Sequence, residues 1–129
     1  MKVMVLIARI LMGLLFTVVG LMKVVPLGPM QIPPGDAGAM MSLMMAHKWL
    51  VFYGLVEAVS GLLLLSGRFV PLALTLLAGM ITNITLFNAT LMPKAVPMAL
   101  VVGVLEIFLV YAYRASFAGI FAAKQAPAV

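Results

Sequence analysis

Cysteine is absent from this chain. That excludes disulfides, thiolate metal sites and cysteine nucleophiles, and leaves the redox compartment open. Histidine occurs once, at His47, so neither a bis-histidine haem nor a zinc site of ordinary ligand number can be assembled within one copy. There is no glycine-rich phosphate loop, no G-x-S-x-G elbow and no residue set for a Ser-His-Asp triad in a polar pocket. Charge is scarce altogether. Only 9% of the 129 residues are charged, and only Asp36, Glu57 and Glu106 are acidic. A soluble domain carries roughly a quarter of its residues as charges to keep its surface wet.

What is present is hydrocarbon. Two-thirds of the chain (66%) is hydrophobic, with a mean hydropathy of +1.29, which places the protein in a lipid bilayer. The net charge of +5 does not indicate nucleic acid. The basic residues stand singly at the ends of apolar runs, as snorkelling membrane anchors do, and form no patch. Four runs at 3–25, 49–65, 69–92 and 95–113 approach the ~20 residues that cross a bilayer. None alternates with period two, so helices are the expected spans. Short connections after the second and third runs force antiparallel neighbours. The expectation is an all-α integral membrane antiparallel four-helix bundle, a single domain over 1–129.

Arg9 interrupts the first run, and no A-x-A-like site follows it, so that run reads as an uncleaved span and not as a signal peptide. Lys2, Arg68, Arg114 and Lys124 fall on one side of the bilayer. Lys23, Lys48 and Lys94 fall on the other with Asp36. Counting Arg9, the positive-inside rule places both termini in the cytoplasm, with the protein in a bacterial inner membrane. The connection 26–48 opens with Pro26, Pro29, Pro33 and Pro34, which favour extended or turn backbone. It then reads as a short helix, Asp36 to His47, with Asp36 as N-cap and Met40, Met41, Met44 and Met45 on one face. Such a helix lies on the membrane surface or over the mouth of the bundle.

Polar residues inside the runs are the functional signal, because an ionised side chain at membrane depth costs several kcal/mol unless paired or hydrated. Arg9, Gly13, Phe16, Thr17, Gly20 and Lys23 form one stripe of the first span; Tyr53, Glu57, Ser60 and Gly61 share a face of the second. On the third, Thr75, Gly79, Thr82 and Asn83 share a face, and Asn88 is turned about 140° from Asn83. On the fourth, Ala99, Gly103, Glu106, Val110 and Tyr113 align. Arg9 lies about 9 Å into the membrane and Glu106 about 10 Å from the same side. The expected cluster is therefore Arg9 forked between Glu106 and Glu57; its bland counterpart is an ion pair that only sets helix register. Asn88, His47 and Trp49, with Asn83 nearby, form the expected contact rim for a partner or ligand. His47 reads as interfacial beside Lys48 and Trp49. The alternatives are ligation of one chlorin magnesium and a soft Cu(I) site with Met40 and Met44.

The run Ala8-Arg9-Ile10-Leu11-Met12-Gly13-Leu14-Leu15-Phe16, followed by Gly20-Leu21-Met22-Lys23, resembles the opening of DoxX-like membrane proteins. The resemblance continues in Glu57 through Leu65, in Gly67-Arg68-Phe69-Val70-Pro71-Leu72-Ala73-Leu74, in the Pro-rich connection and in Val104-Leu105-Glu106. Related sequences often carry histidine where this chain has Asn88, which argues against a metal, haem or proton-relay role there. The resemblance implies a four-helix inner-membrane protein associated with redox complexes, including quinone-reducing sulfur oxidation. The first functional reading is a small accessory subunit packed against a larger respiratory or photosynthetic electron-transfer complex, holding a quinone, lipid or pigment between helices. It is not a catalyst on its own, since no redox centre can be built from these side chains alone. The alternative is an oligomeric proton-coupled small-molecule transporter using Glu57 or Glu106. A third reading is a structural subunit with a silent ion pair.

Overall fold

Leucine, valine, isoleucine and methionine dominate every long segment, and with no water to take their backbone groups these segments close their own hydrogen bonds as helices. A computed structural model describes residues 1–25, 32–124 and 126–128. Its elements are α1 (Lys2–Val24), α2 (Gly35–Ala46), α3 (Trp49–Ser66), α4 (Val70–Leu91) and α5 (Val96–Ala112), with 3-10 turns at Pro93–Ala95 and Arg114–Phe117. The four helices α1, α3, α4 and α5, the last with its preceding turn, are long and apolar enough to cross a membrane. The protein is an all-helical, multi-pass membrane bundle. Pro26 and Pro29 of the expected Pro-rich connection lie outside the described residues.

Helix ends follow local chemistry. Gly67 takes a left-handed backbone (φ 73°) and its N–H bonds the Leu63 and Leu64 carbonyls, closing α3. Phe69 is also left-handed (φ 55°), so α4 begins at Val70, one residue later than the hydropathy run, with Pro71 in its first turn. Lys48 takes φ 64° between α2 and α3. Asp36 is not the N-cap of α2. Pro34 occupies that position and Asp36 lies in the first turn, where a carboxylate still favours the positive end of the helix dipole.

The tightest helix pair is α1 with α3. Gly13 faces Gly61 and Gly20 faces Gly54, seven residues apart on each helix as an antiparallel pair requires. A Cβ added at Gly20 would lie 2.5 Å from the Gly54 carbonyl oxygen, and one at Gly61 would lie 2.7 Å from that of Gly13. Backbones this close gain dispersion that bulky side chains would forfeit. Beside this seam Met12, Phe16, Leu64, Leu74, Leu77 and Leu109 fill the core. The outside is as apolar as the inside: Ile7, Leu11, Leu14 and Val18 of α1 and Leu100, Val104 and Ile107 of α5 are exposed. A belt of this kind is what lipid requires, and ionisable groups at membrane depth belong to the interior.

Candidate functional site

Glu57 is 1% exposed, and its partner is Lys23. The Lys23 Nζ donates to Oε1 at 2.8 Å and to Oε2 at 3.1 Å. Helical side chains tilt toward the N-terminus of their own helix. Lys23 near the end of α1 therefore leans into the bundle, and Glu57 of antiparallel α3 leans out to meet it. Gly54 makes the path: a Cβ there would sit 2.8 Å from the Lys23 Cβ. The stem of Lys23 crosses α3 where α3 has no side chain.

Arg9 does not pair with either glutamate, which corrects the fork expected from depth. Among the described residues the only salt bridge joins Lys23 to Glu57. The Arg9 Nη1 instead donates to the Tyr113 hydroxyl at 3.4 Å, and the guanidinium lies over Gly67. Its Nε is buried without a partner among the described residues. Glu106 is 6% exposed and neither of its oxygens has a hydrogen-bond partner among the described residues. The tilt rule accounts for the failure: Arg9 leans toward the start of α1 and the membrane surface, while Glu106 leans toward the start of α5 and the opposite side. Matching depth at Cα does not bring the two heads together.

Helix α4 is also turned relative to expectation. Asn88 was expected on an outward rim; it is 9% exposed and its Nδ2 donates to the Ala95 carbonyl at 3.3 Å, tying α4 to the turn that leads into α5. Thr75, Gly79, Thr82 and Asn83 are exposed instead. The two threonines bond the Pro71 and Ala78 carbonyls of their own helix, which satisfies their hydroxyls toward lipid. The choice of face fell to volume: Leu74, Leu77 and Ile81 fill the core and take the opposite side of α4 with them.

Between α1, α2, α3 and α4 lies a cavity of about 340 Å³. Lys23 and Glu57 are on its wall, with Tyr53, Asn83 and Asn88 as further polar groups and Met40, Met41, Met44, Met80 and Phe87 among the apolar ones. Helix α2 thus forms part of the wall, its methionines supplying adaptable apolar surface. His47 and Trp49 are exposed and line a neighbouring cleft of about 420 Å³ with Met40, Leu43 and Met44. The expected rim is therefore two spaces. Asn83 and Asn88 belong to the cavity, His47 and Trp49 to the cleft, and Met40 and Met44 border both. The three residues of the Cu(I) alternative do meet at one cleft; no group of three His, Asp or Glu with metal-holding placement occurs among the described residues.

Lys23 and Tyr53 are the site residues that sequence reasoning passed over as partners. Both stood on the inward stripes, and the signal that would have joined Lys23 to Glu57 was the paired glycine spacing, which fixes the antiparallel register.

No curated protein and no solved structure matches this chain. A family model described as DoxX matches residues 4–89. That interval contains Arg9, Lys23, Glu57 and the cavity-lining residues of α2 to α4, and leaves Glu106 and the rest of α5 beyond its end. Covering about two-thirds of the sequence, the match settles the family: the chain belongs to the DoxX family.

Proposed function

We propose that the protein is a non-catalytic accessory subunit of a membrane electron-transfer complex, and that its cavity holds the head group of a quinone. The observation that carries this reading is the cavity's composition, an apolar chamber with one ion pair on its wall, its carboxylate buried and its ammonium partly exposed. At about 340 Å³ it stands at the lower end of the ~300–1,000 Å³ usual for small-molecule sites, which suits a single substituted ring. An ammonium has three donors, and Lys23 directs two hydrogen bonds to the Glu57 carboxylate. The third is available to a carbonyl oxygen. The Asn83 amide and Tyr53 hydroxyl, both lining the chamber, offer further donors to the second carbonyl. Met40, Met44 and Phe87 give the ring soft, polarisable contacts. Family membership and the lack of any redox centre among these side chains support a subunit role over independent catalysis. The excess of Lys2, Arg9, Arg68 and Arg114 at one end supports a cytoplasmic placement of both termini in a bacterial inner membrane.

Titration of the purified protein with a soluble quinone analogue tests this reading. Trp49 reports on the chamber through Tyr53, whose ring centroid is 6.5 Å from its own. Saturable quenching is expected, weakened about tenfold in Asn83→Leu if that amide donates one charge-neutral hydrogen bond. Absence of saturable binding by any quinone class rejects the ligand, and absence of redox subunits after gentle solubilisation rejects the complex. A second reading, the oligomeric proton-coupled transporter, is favoured by one observation: Glu106 is buried with no hydrogen-bond partner among the described residues. Glu57, held by Lys23, is the poorer carrier. Proton-driven uptake in proteoliposomes, lost in Glu106→Gln, would support it over the quinone site.

A further inference from the structure

A second space lies at the other end of α1, separated from the Lys23 end by about 30 Å at 1.5 Å per residue. It is a cleft of about 700 Å³ between the first turns of α1 and the last turn of α5. Lys2, Arg9 and Arg114 line it, and among the described residues no carboxylate does. Glu106 is about 10 Å deeper along α5 than Tyr113, and the only carboxylate paired among the described residues, Glu57, is taken by Lys23. Three basic side chains therefore converge with no carboxylate beside them among the described residues.

Further observations point to an anionic ligand. Helix α1 has no side-chain N-cap and no acidic residue in its first turn, so its leading N–H groups and the positive end of its dipole add to the same field. Among the described residues the buried Arg9 Nε has no partner, and Nη1 has only the 3.4 Å hydrogen bond to Tyr113. Arg114 is held in place by a bond to the Tyr111 carbonyl at 3.1 Å and by stacking 4.5 Å above the Tyr111 ring. A fork of donors fixed in this way suits a tetrahedral oxyanion better than a flexible ammonium would. The remaining wall includes Val5 and Leu6, apolar residues of a spanning helix that continue into the lipid-facing belt.

We infer that this cleft is a phosphate-binding site, and that its occupant is the head group of an anionic phospholipid. Arg9 and Arg114 take the phosphodiester oxygens, Lys2 adds the outer charge, and the glycerol and first acyl carbons lie along Val5 and Leu6. The cleft volume exceeds what an inorganic phosphate fills, which favours the lipid over the free ion. By the positive-inside rule this end faces the cytoplasm, whose leaflet carries anionic lipid. The site is independent of the quinone reading.

Native mass spectrometry of the delipidated, monodisperse protein tests the assignment with phosphatidylglycerol, phosphatidylcholine and inorganic phosphate as separate probes. One phosphatidylglycerol per chain should be retained in preference to phosphatidylcholine. Retention should fall about tenfold or more in Arg9→Gln/Arg114→Gln, since each change removes a charge-assisted hydrogen bond. The exposed Arg114→Gln alone should give a smaller loss in a protein whose fold is undisturbed. Lys94→Gln, at the opposite end, should change nothing. Binding of inorganic phosphate with no lipid preference, lost in the same variants, would keep the phosphate chemistry and assign the cleft to the free ion. Equal retention of both lipids with no effect of phosphate, or retention unchanged in the double variant, overturns the proposal.

Discussion

The two ends of the bundle contain similar ingredients and treat them differently. At one end a cation near the close of α1 meets a buried glutamate of α3: Lys23 and Glu57, 2.8 Å apart. At the other, a cation near the start of α1 and a buried glutamate of α5, Arg9 and Glu106, start from matching depth and form no hydrogen bond or salt bridge with each other. The difference is direction. Side chains tilt toward the N-terminus of their own helix, so a cation late in one helix leans toward a mid-helix anion of an antiparallel neighbour, which leans back to meet it. A cation early in its helix, as Arg9 is, leans away from a mid-helix anion such as Glu106, which leans away in turn. Pairing inside a membrane is therefore decided by where each residue stands along its helix, as well as by depth and face.

The largest test breaks the formed pair. Lys23→Met strands Glu57 in hydrocarbon and should cost about 3–5 kcal/mol in equilibrium unfolding from mixed micelles. Adding Glu57→Met should recover most of that loss, because replacing both partners with apolar groups removes the uncompensated charge. A double variant no better than Lys23→Met alone would mean that the pair does not act as a unit.

A smaller effect is expected at the glycine that lets the pair form. Gly54→Val places a side chain against the Gly20 carbonyl and the Lys23 stem, forcing α1 and α3 apart. A loss of about 1–3 kcal/mol is expected for such overpacking. Gly79→Val, at a position where an added Cβ meets nothing, should stay near wild type in the same assay.

The smallest effect sharpens the contrast. Arg9→Gln and Glu106→Gln should add, with a coupling energy within about 0.5 kcal/mol of zero, as for residues that share no contact. The corresponding cycle on Lys23 and Glu57 should give a coupling several times larger. A substantial coupling between Arg9 and Glu106 would restore the fork that depth alone implied.

Composition and hydropathy were enough for the class and its spans: with 9% charge and four long apolar runs, no other arrangement satisfies the backbone in lipid. The inward stripes of α1 and α3 were legible because glycine and ionisable residues recur there at helical spacing, and both stripes do face each other. The face of α4 was not legible. Its threonines and Asn83 share one polar face, yet threonine bonds its own helix carbonyl and needs no neighbour. The packing of Leu74, Leu77 and Ile81 decided the rotation and turned Asn88 inward.

Sequence by itself determined that this chain crosses a membrane as helices, and that Glu57 and Glu106 must answer for their charges inside it. Tertiary structure alone decided which cation answers. Paired glycines set the α1–α3 register, that register carried Lys23 across Gly54 to Glu57, and the tilt of Arg9 toward the start of α1 left it lining one cleft with Lys2 and Arg114. Those choices depend on the relative direction of two helices, a property that no stretch of sequence has until its neighbour is in place.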